Sequence, residues 1–343
     1  MSAAPAFVAE IDPVLVGIVV IGRNEGTRLR SCLEKLTESP YPVCYVDSGS
    51  TDSSLQVAGQ LASHTENLDP SKPFTAARGR NHGLATLLHS YPLLEYVHVF
   101  DGDTEVEDGW LEFAIETLDG DPTLAAVCGR RRERHRNSTP YNTLCDLEWD
   151  TPVGEAEAFG GDALIRVEAW NDAGGYDETL IAGEDPEFSH RLRQKGWKIQ
   201  RLDHPMTIHD ANMTAFSQWF TRVRRTGHAY AEGASLHGDD GYYIKQVRSI
   251  AFWGGVLPAI AGASAIGSLK DPRSAAGLAV LGLYPVLWYR VRAYRRELGD
   301  SSSDASTYAN SIVVGKFAEF SGLALWLRNR LQNRQATLVE YKA

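Results

Sequence analysis

The sequence predicts an α/β protein with a mostly parallel central sheet and helices on both faces, extended by a C-terminal helical hairpin and an amphipathic helix. Three observations predict it. Apolar β-branched runs alternate with helical stretches through the first hundred residues, acidic residues recur where those runs end, and a long charge-free stretch follows Arg248.

The run Val14 to Ile21 is almost wholly apolar, as a strand buried on both faces requires. Thr27 to Thr37 places Leu29, Cys32, Leu33 and Leu36 on one helical face. Pro42 to Val46 reads as the next strand and ends at Asp47. Asp52 is a candidate N-cap for a helix to about Ala62. A further helix fits Ala76 to Leu88, and a third strand, Tyr96 to Phe100, runs into Asp101-Gly102-Asp103. In such sheets ligands sit beyond the carboxyl ends of the strands, where Asp47, Asp101 and Asp103 fall.

The chain has 343 residues, 43% of them hydrophobic and 23% charged, with a net charge of −10. That excludes a disordered chain and argues against nucleic acid as a partner. Cys32, Cys44, Cys128 and Cys145 are too scattered for a disulfide framework or a zinc site, which points to a reducing compartment. The N-terminal residues lack a basic start followed by an apolar run, so no secretory signal is expected, and the two Asn-x-Thr triplets at Asn137 and Asn212 read as chance matches.

Ser249 to Leu269 and Ser274 to Tyr289 contain no charge. As helices they reach roughly 31 Å and 24 Å, against about 30 Å of bilayer hydrocarbon. Lys245 and Arg248 precede the pair, and Arg290, Arg292, Arg295 and Arg296 follow it. A hairpin anchored on, or dipping into, the cytoplasmic face of a membrane fits that basic flanking. Beyond a polar linker, Val313, Phe317, Phe320, Ala324 and Leu327 recur at helical spacing, a stripe suited either to a lipid interface or to docking on the protein. The expected divisions are a tail (1–12), a catalytic domain (13–236), the hairpin (237–298), and a linker with the amphipathic helix (299–343).

Asp101-Gly102-Asp103 at a strand end suits a hard divalent cation, Mg²⁺ or Mn²⁺, completing its shell with diphosphate oxygens. Five further segments accompany it: Ile21-Gly22-Arg23-Asn24-Glu25, Asp47-Ser48-Gly49-Ser50-Thr51-Asp52, Arg78-Gly79-Arg80-Asn81, Gly174-Gly175-Tyr176-Asp177 and Gly183-Glu184-Asp185. In this order the series resembles glycosyltransferase family 2, on the GT-A fold, over about residues 14–230.

That resemblance implies a metal-dependent, inverting transfer from a nucleotide sugar, UDP- or GDP-linked, to a lipid-linked or saccharide acceptor in glycolipid or cell-surface polysaccharide assembly. Gly22, Arg23, Asn24 and Glu25 would border the nucleotide, with Asp47 and Ser48 at its base. Arg78, Arg80 and Asn81 would run beneath it. Asp101 and Gly102 would face the ribose or donor sugar, and Asp103 would ligate the metal with His209. Glu184-Asp185 matches the family's acidic pair, Asp185 being the expected base. Gly161 and Asp162 would line the acceptor site. Arg222 and Arg225 would neutralise the departing diphosphate or meet anionic lipid. Trp219 either covers the acceptor sugar or fills the core. Gln218 to Arg225 departs from the segment of processive relatives, because Arg222 comes four residues after Gln218 and no tryptophan follows. A nucleotidyltransferase, or a non-catalytic membrane scaffold on the same fold, are the competing classes. Gly22-Arg23-Asn24-Glu25 is not the glycine-rich phosphate loop that the first would open with.

Overall fold

The computed structural model describes residues 15–334; the expected tail lies outside them. The chain order is β1 (Val16–Gly22), α1 (Thr27–Leu36), β2 (Val43–Asp47), α2 (Ser54–Leu61), β3 (His64–Asn67), α3 (Ala76–Ser90), β4 (Tyr96–Asp101), β5 (Thr104–Val106), α4 (Trp110–Gly120), β6 (Leu124–Glu133), α5 (Pro140–Trp149), β7 (Gly154–Glu155), β8 (Ala163–Arg166), α6 (Val167–Ala173), α7 (Glu184–Gln194), β9 (Lys198–His209) and α8 (Phe216–His237). A helical C-terminal region follows.

The strands form one sheet in the order β3-β2-β1-β4-β8-β6-β9-β5, with β7 beside β9. Its first four strands are all parallel, and β6 and β9 are parallel to each other. Strand β8 runs antiparallel between β4 and β6. β1 is fully enclosed at Ile18, Val19 and Val20, as its apolar run requires. The α1 face is the expected one: Leu29, Cys32, Leu33 and Leu36 are buried. Burying such a side chain stabilises the fold by about 1.5–3 kcal/mol. His98 lies in this core, where Nε1 of Trp110 donates to its Nε2 at 2.7 Å, and burial pushes its pKa down to about 3.

Two local expectations need correction. Asp52 does not cap α2; the cap position is Ser53, and Asp52 accepts instead from the Ser54 amide at 2.9 Å. Pro186, which the sequence places at the first position of the helix after Glu184-Asp185, is not the first residue of that helix. α7 starts at Glu184, after Gly183 in the left-handed region at φ 81°, which puts Pro186 third. There its missing N–H still costs no helical bond, because the first four amides have no intrahelical acceptor.

The C-terminal region holds α9 (Ile244–Ile250), a π-helical turn (Ala251–Val256), α10 (Leu257–Ser268), a 3-10 segment (Pro272–Gly282), α11 (Leu283–Glu297) and α12 (Ser302–Leu331). Two continuous helical runs, Ile244–Ser268 and Pro272–Glu297, are long and apolar enough to cross a membrane. They fold back on each other: Gly277 packs against Ser264, and the Tyr284 hydroxyl donates to the Trp253 carbonyl at 2.6 Å.

α12 docks on the protein, and only in part by the expected stripe, of which Phe320 packs against Gly254 and Gly255. Its buried residues are Ala305, Ala309, Gly315, Ala318, Gly322 and Leu323, whereas Phe317 and Leu327 face outward. The reason is close approach. A Cβ on Gly322 would collide with the Arg224 carbonyl of α8, and one on Gly227 with the Glu319 carbonyl of α12. Only hydrogen at these positions lets the two backbones meet.

Candidate active site

Four loops and helix starts meet beyond the carboxyl ends of β1, β2 and β4. Asn24 sits in the left-handed region at φ 56° and joins two of them. Its amide donates to Ser50 Oγ at 2.9 Å, and its side-chain oxygen accepts from the Thr51 amide at 2.8 Å. Asn tolerates that backbone conformation better than most residues. A cleft of about 190 Å³ opens here, lined in part by Gly22, Arg23, Glu25, Ser48, Phe74, Asp101, Gly102 and Asp103. The Arg23 guanidinium lies over the Phe74 ring, 5.7 Å from its centre.

Asp47 lies beneath this cleft, wholly enclosed. It accepts from Tyr45 OH at 2.9 Å, from the Gly49 and Ser50 amides at 2.8 and 2.6 Å, and from Ser50 Oγ at 2.5 Å. It shapes the turn that carries Ser48 and presents no surface to a base, so the expected base contact is not formed by this residue as the structure stands.

The acidic strand end gathers as a cluster. The candidate ligand atoms of Asp101, Asp103 and His209 lie within 4.8 Å of one another. β5 pairs with the end of β9 and brings Thr104 opposite His209, which puts His209 Nε2 3.3 Å from Asp103 Oδ1. Asp103 and His209 are buried, and Nδ1 of His209 has no hydrogen-bond partner among the described residues. Two carboxylates and an imidazole fit a divalent cation, and such a shell leaves positions for substrate oxygens.

Facing it, α7 opens with Glu184 and Asp185. Arg80, from α3, ties the two acidic groups together. Its Nη2 is 3.1 Å from Asp101 Oδ1, and its Nη1 is 3.0 Å from Glu184 Oε1 and 3.1 Å from Asp185 Oδ1. With 2% exposure its guanidinium is spent on these carboxylates, so the expected position beneath the phosphates is corrected. Tyr176 OH donates to Asp185 Oδ1 at 3.1 Å, and the Arg80 guanidinium lies 5.4 Å from the centre of the Tyr176 ring. Burial pushes the Asp185 carboxyl up to about 7; Arg80 works against the rise, and the Glu184 and Asp101 charges add to it. A carboxylate that titrates near neutrality is matched to taking a proton from a hydroxyl.

Other expected residues take structural places. The Asn81 side chain donates to the Tyr176 carbonyl at 2.9 Å and accepts from the Tyr176 amide at 3.0 Å, holding the Gly-Gly-Tyr-Asp loop against α3. Arg78 Nη1 donates to the Lys72 and Pro73 carbonyls. Asp162 is fully buried, ion-paired with Arg131 at 3.0 Å and accepting from Thr207 Oγ1 at 2.7 Å, which removes it from any acceptor surface. Gly161 lies against the acidic cluster, since a Cβ there would lie 2.7 Å from Asp101 Oδ2. Trp219 is buried with Leu144, Cys145, Ala211 and Met213, so of its two readings the core one holds. Arg222 pairs with Glu148 at 2.5 Å, and Arg225 donates to the Ile181 carbonyl at 3.1 Å.

Sequence reasoning passed over Arg131 and Trp149. The Arg131 guanidinium lies 5.4 Å from the centre of the Trp149 ring, which itself meets the His209 ring at 4.7 Å. The run Arg130-Arg131-Arg132 in an acidic chain was the signal for the first.

A parallel sheet with an aspartate–histidine cluster at its strand ends, facing an acidic pair at a helix start, is the arrangement of a GT-A nucleotide-sugar transferase. Residues 17–162 match the glycosyl transferase family 2 model, and residues 145–215 match the N-terminal domain of galactosyltransferase. Among similar proteins, glycosyltransferase AglE of Haloferax volcanii is 22% identical over 69% of this chain and 79% of its own length. The beta-monoglucosyldiacylglycerol synthase of Nostoc sp. is 24% identical over 64% of this chain; that match spans only about half of the relative, 48%. The fold is shared with the mannosyltransferase PcManGT of Pyrobaculum calidifontis, solved with GDP-Man and Mn²⁺, at TM-score 0.55 and 18% identity over 92% of this chain and 87% of that one.

Proposed function

We propose that this glycosyltransferase moves a sugar, with inversion, from a UDP- or GDP-sugar to an acceptor hydroxyl on a lipid-linked or saccharide acceptor, in glycolipid or cell-surface polysaccharide assembly at the cytoplasmic face of a membrane. The observation that carries the reading is Arg80, which holds the donor-side Asp101 and the acid pair Glu184 and Asp185 within one buried ionic network.

The donor occupies the cleft above Ser48 and Phe74, its diphosphate toward Asp101 and Asp103. Asp103 and His209, with Asp101 beside them, would hold a divalent cation, Mn²⁺ or Mg²⁺, whose charge offsets that of the leaving diphosphate. Imidazole in the set favours Mn²⁺. Asp185 takes the acceptor proton as the new bond forms, while Tyr176 and Arg80 fix its carboxylate from behind.

A lipid-linked acceptor is supported by a second cavity of about 440 Å³ between the 178–181 loop and α12. Trp326 and Ile181 give it apolar walls, and Lys72, Arg78, Arg330 and Arg334 outnumber Glu178 and Glu232 in its charged lining. The relatives named above include a glucosyldiacylglycerol synthase.

The test is a panel of UDP-, GDP- and dTDP-sugars on detergent-purified protein, with and without Mn²⁺, followed by thermal unfolding. A metal-dependent rise with one nucleotide is expected, and Asp103→Asn should abolish it. A folded protein that responds to no donor would overturn the assignment, and pyrophosphate release from a nucleoside triphosphate would replace it with a nucleotidyltransferase.

A further inference from the structure

α7 carries a second polar cluster beyond its acidic start. His190, about one and a half turns after Asp185, meets His237 at the end of α8 and Asp240 in the turn that follows. The three candidate ligand atoms lie within 4.8 Å of one another. The imidazole centres are 5.1 Å apart, and His190 Nε2 is 3.8 Å from Asp240 Oδ2. His190 is only 9% exposed, and its Nε2 is enclosed with no hydrogen-bond partner among the described residues. An enclosed polar nitrogen in that condition destabilises the fold unless something binds it.

The surroundings are those of a ligand set. Glu187 Oε1 accepts from His237 Nε2 at 2.9 Å and is itself paired with Arg191 at 2.7 Å. Carboxylate partners of this kind orient metal-bound histidines. The Tyr242 ring stacks on His190 at 4.3 Å and fixes its plane. Arg193 opposes a cation, and Asp240 and Glu187 offset it.

We propose that His190, His237 and Asp240 form a second divalent-cation site, of zinc type, with its fourth position left to water. Two nitrogens and one oxygen suit Zn²⁺, whereas the strand-end cluster is richer in oxygen. Ligand atoms on a zinc tetrahedron with bonds of about 2.0–2.1 Å lie roughly 3.4 Å apart. The 3.8 Å gap closes with a small turn of Asp240, whose side chain is 53% exposed and also accepts from Gln194 at 2.5 Å. An ion there ties the helix that bears the candidate base to the turn that leads into the hydrophobic hairpin.

The test uses full-length protein in detergent, equilibrated with Zn²⁺ and freed of unbound metal. Wild type should retain one equivalent more than His190→Gln or His237→Gln, and Zn²⁺ should raise its unfolding temperature but not theirs. The same difference should persist in an Asp103→Asn background, which separates this site from the strand-end cluster. Should His190→Gln fail to fold, His237→Gln and the exposed Asp240→Asn carry the same comparison. Equal zinc content in wild type and the folded variants overturns the proposal, as does a difference that vanishes with Asp103→Asn.

Discussion

In the sheet the large apolar side chains are the enclosed ones: Ile18, Phe100 and Leu164 are at most 1% exposed. In the hairpin the order is reversed. Ile266, Leu269 and Val286 stand 69%, 86% and 53% exposed, while α12 buries chiefly glycine and alanine against its neighbours. Water drives the first pattern, because burial of large apolar groups is what stabilises a sheet there. In the second, small residues bring backbones together and leave the large groups outside, the pattern of helices packed in an apolar medium. The candidate catalytic groups all lie in the region with the water-driven pattern, and none in the region with exposed large apolar groups.

Several substitutions sharpen or break that contrast. The largest effect is expected from Asp185→Asn, which should lower turnover by about 10²–10⁴ with donor affinity nearly unchanged; full retention of turnover would remove Asp185 as the base. Phe100→Ala should destabilise the sheet by about 3–5 kcal/mol in denaturant unfolding. Leu269→Ala in the hairpin should change that value little, and a loss equal to that of Phe100→Ala would show the two regions to be one core. Gly322→Val forces a side chain against the Arg224 carbonyl and should cost about 1–3 kcal/mol. Ile266→Asp with Leu269→Asp should move the protein from liposomes toward the aqueous fraction in flotation, whereas unchanged flotation would discard the hairpin as a membrane contact. The pH profile is the finest probe. Asp185 acts as a base only when ionised, and its carboxyl is held at about 7, so turnover should fall about tenfold for each pH unit well below that point. A profile flat down to pH 5 would contradict it.

Much of the sheet was legible because a strand buried on both faces has no other pattern than a continuous apolar run, and charge resumes where the strand ends. That rule placed Asp101 and Asp103 at the end of β4 without any tertiary information. It said nothing of Arg80, which reads as one basic residue on a helix and acts through carboxylates more than 20 and 100 positions away. Asp47 shows a second limit. A buried turn anchor and a base-binding carboxylate look alike in sequence, and only the four bonds it accepts tell them apart. β3 escaped notice because His64-Thr65-Glu66-Asn67 is polar, and it pairs as an edge strand through its backbone. The stripe of α12 was half informative: Phe320 packs on the protein while Phe317 and Leu327 stand exposed, and helical spacing alone does not separate the two.

The length of α12 has a consequence for where the enzyme can work. Thirty residues make a rod of about 45 Å. Near its start Asp304 meets Arg136, which also holds Asp146 of α5; near its end Arg330 donates to Ser235 of α8 at 2.6 Å. Between these anchors the rod crosses α8 at glycine positions and packs against Gly254 of the hairpin. A brace fixed at both ends and in the middle permits little rocking of the cleft relative to the hairpin. Were the hairpin to rest on a membrane plane, transfer would take place at one height and one tilt above it, and acceptors would be sorted by reach as well as by chemistry.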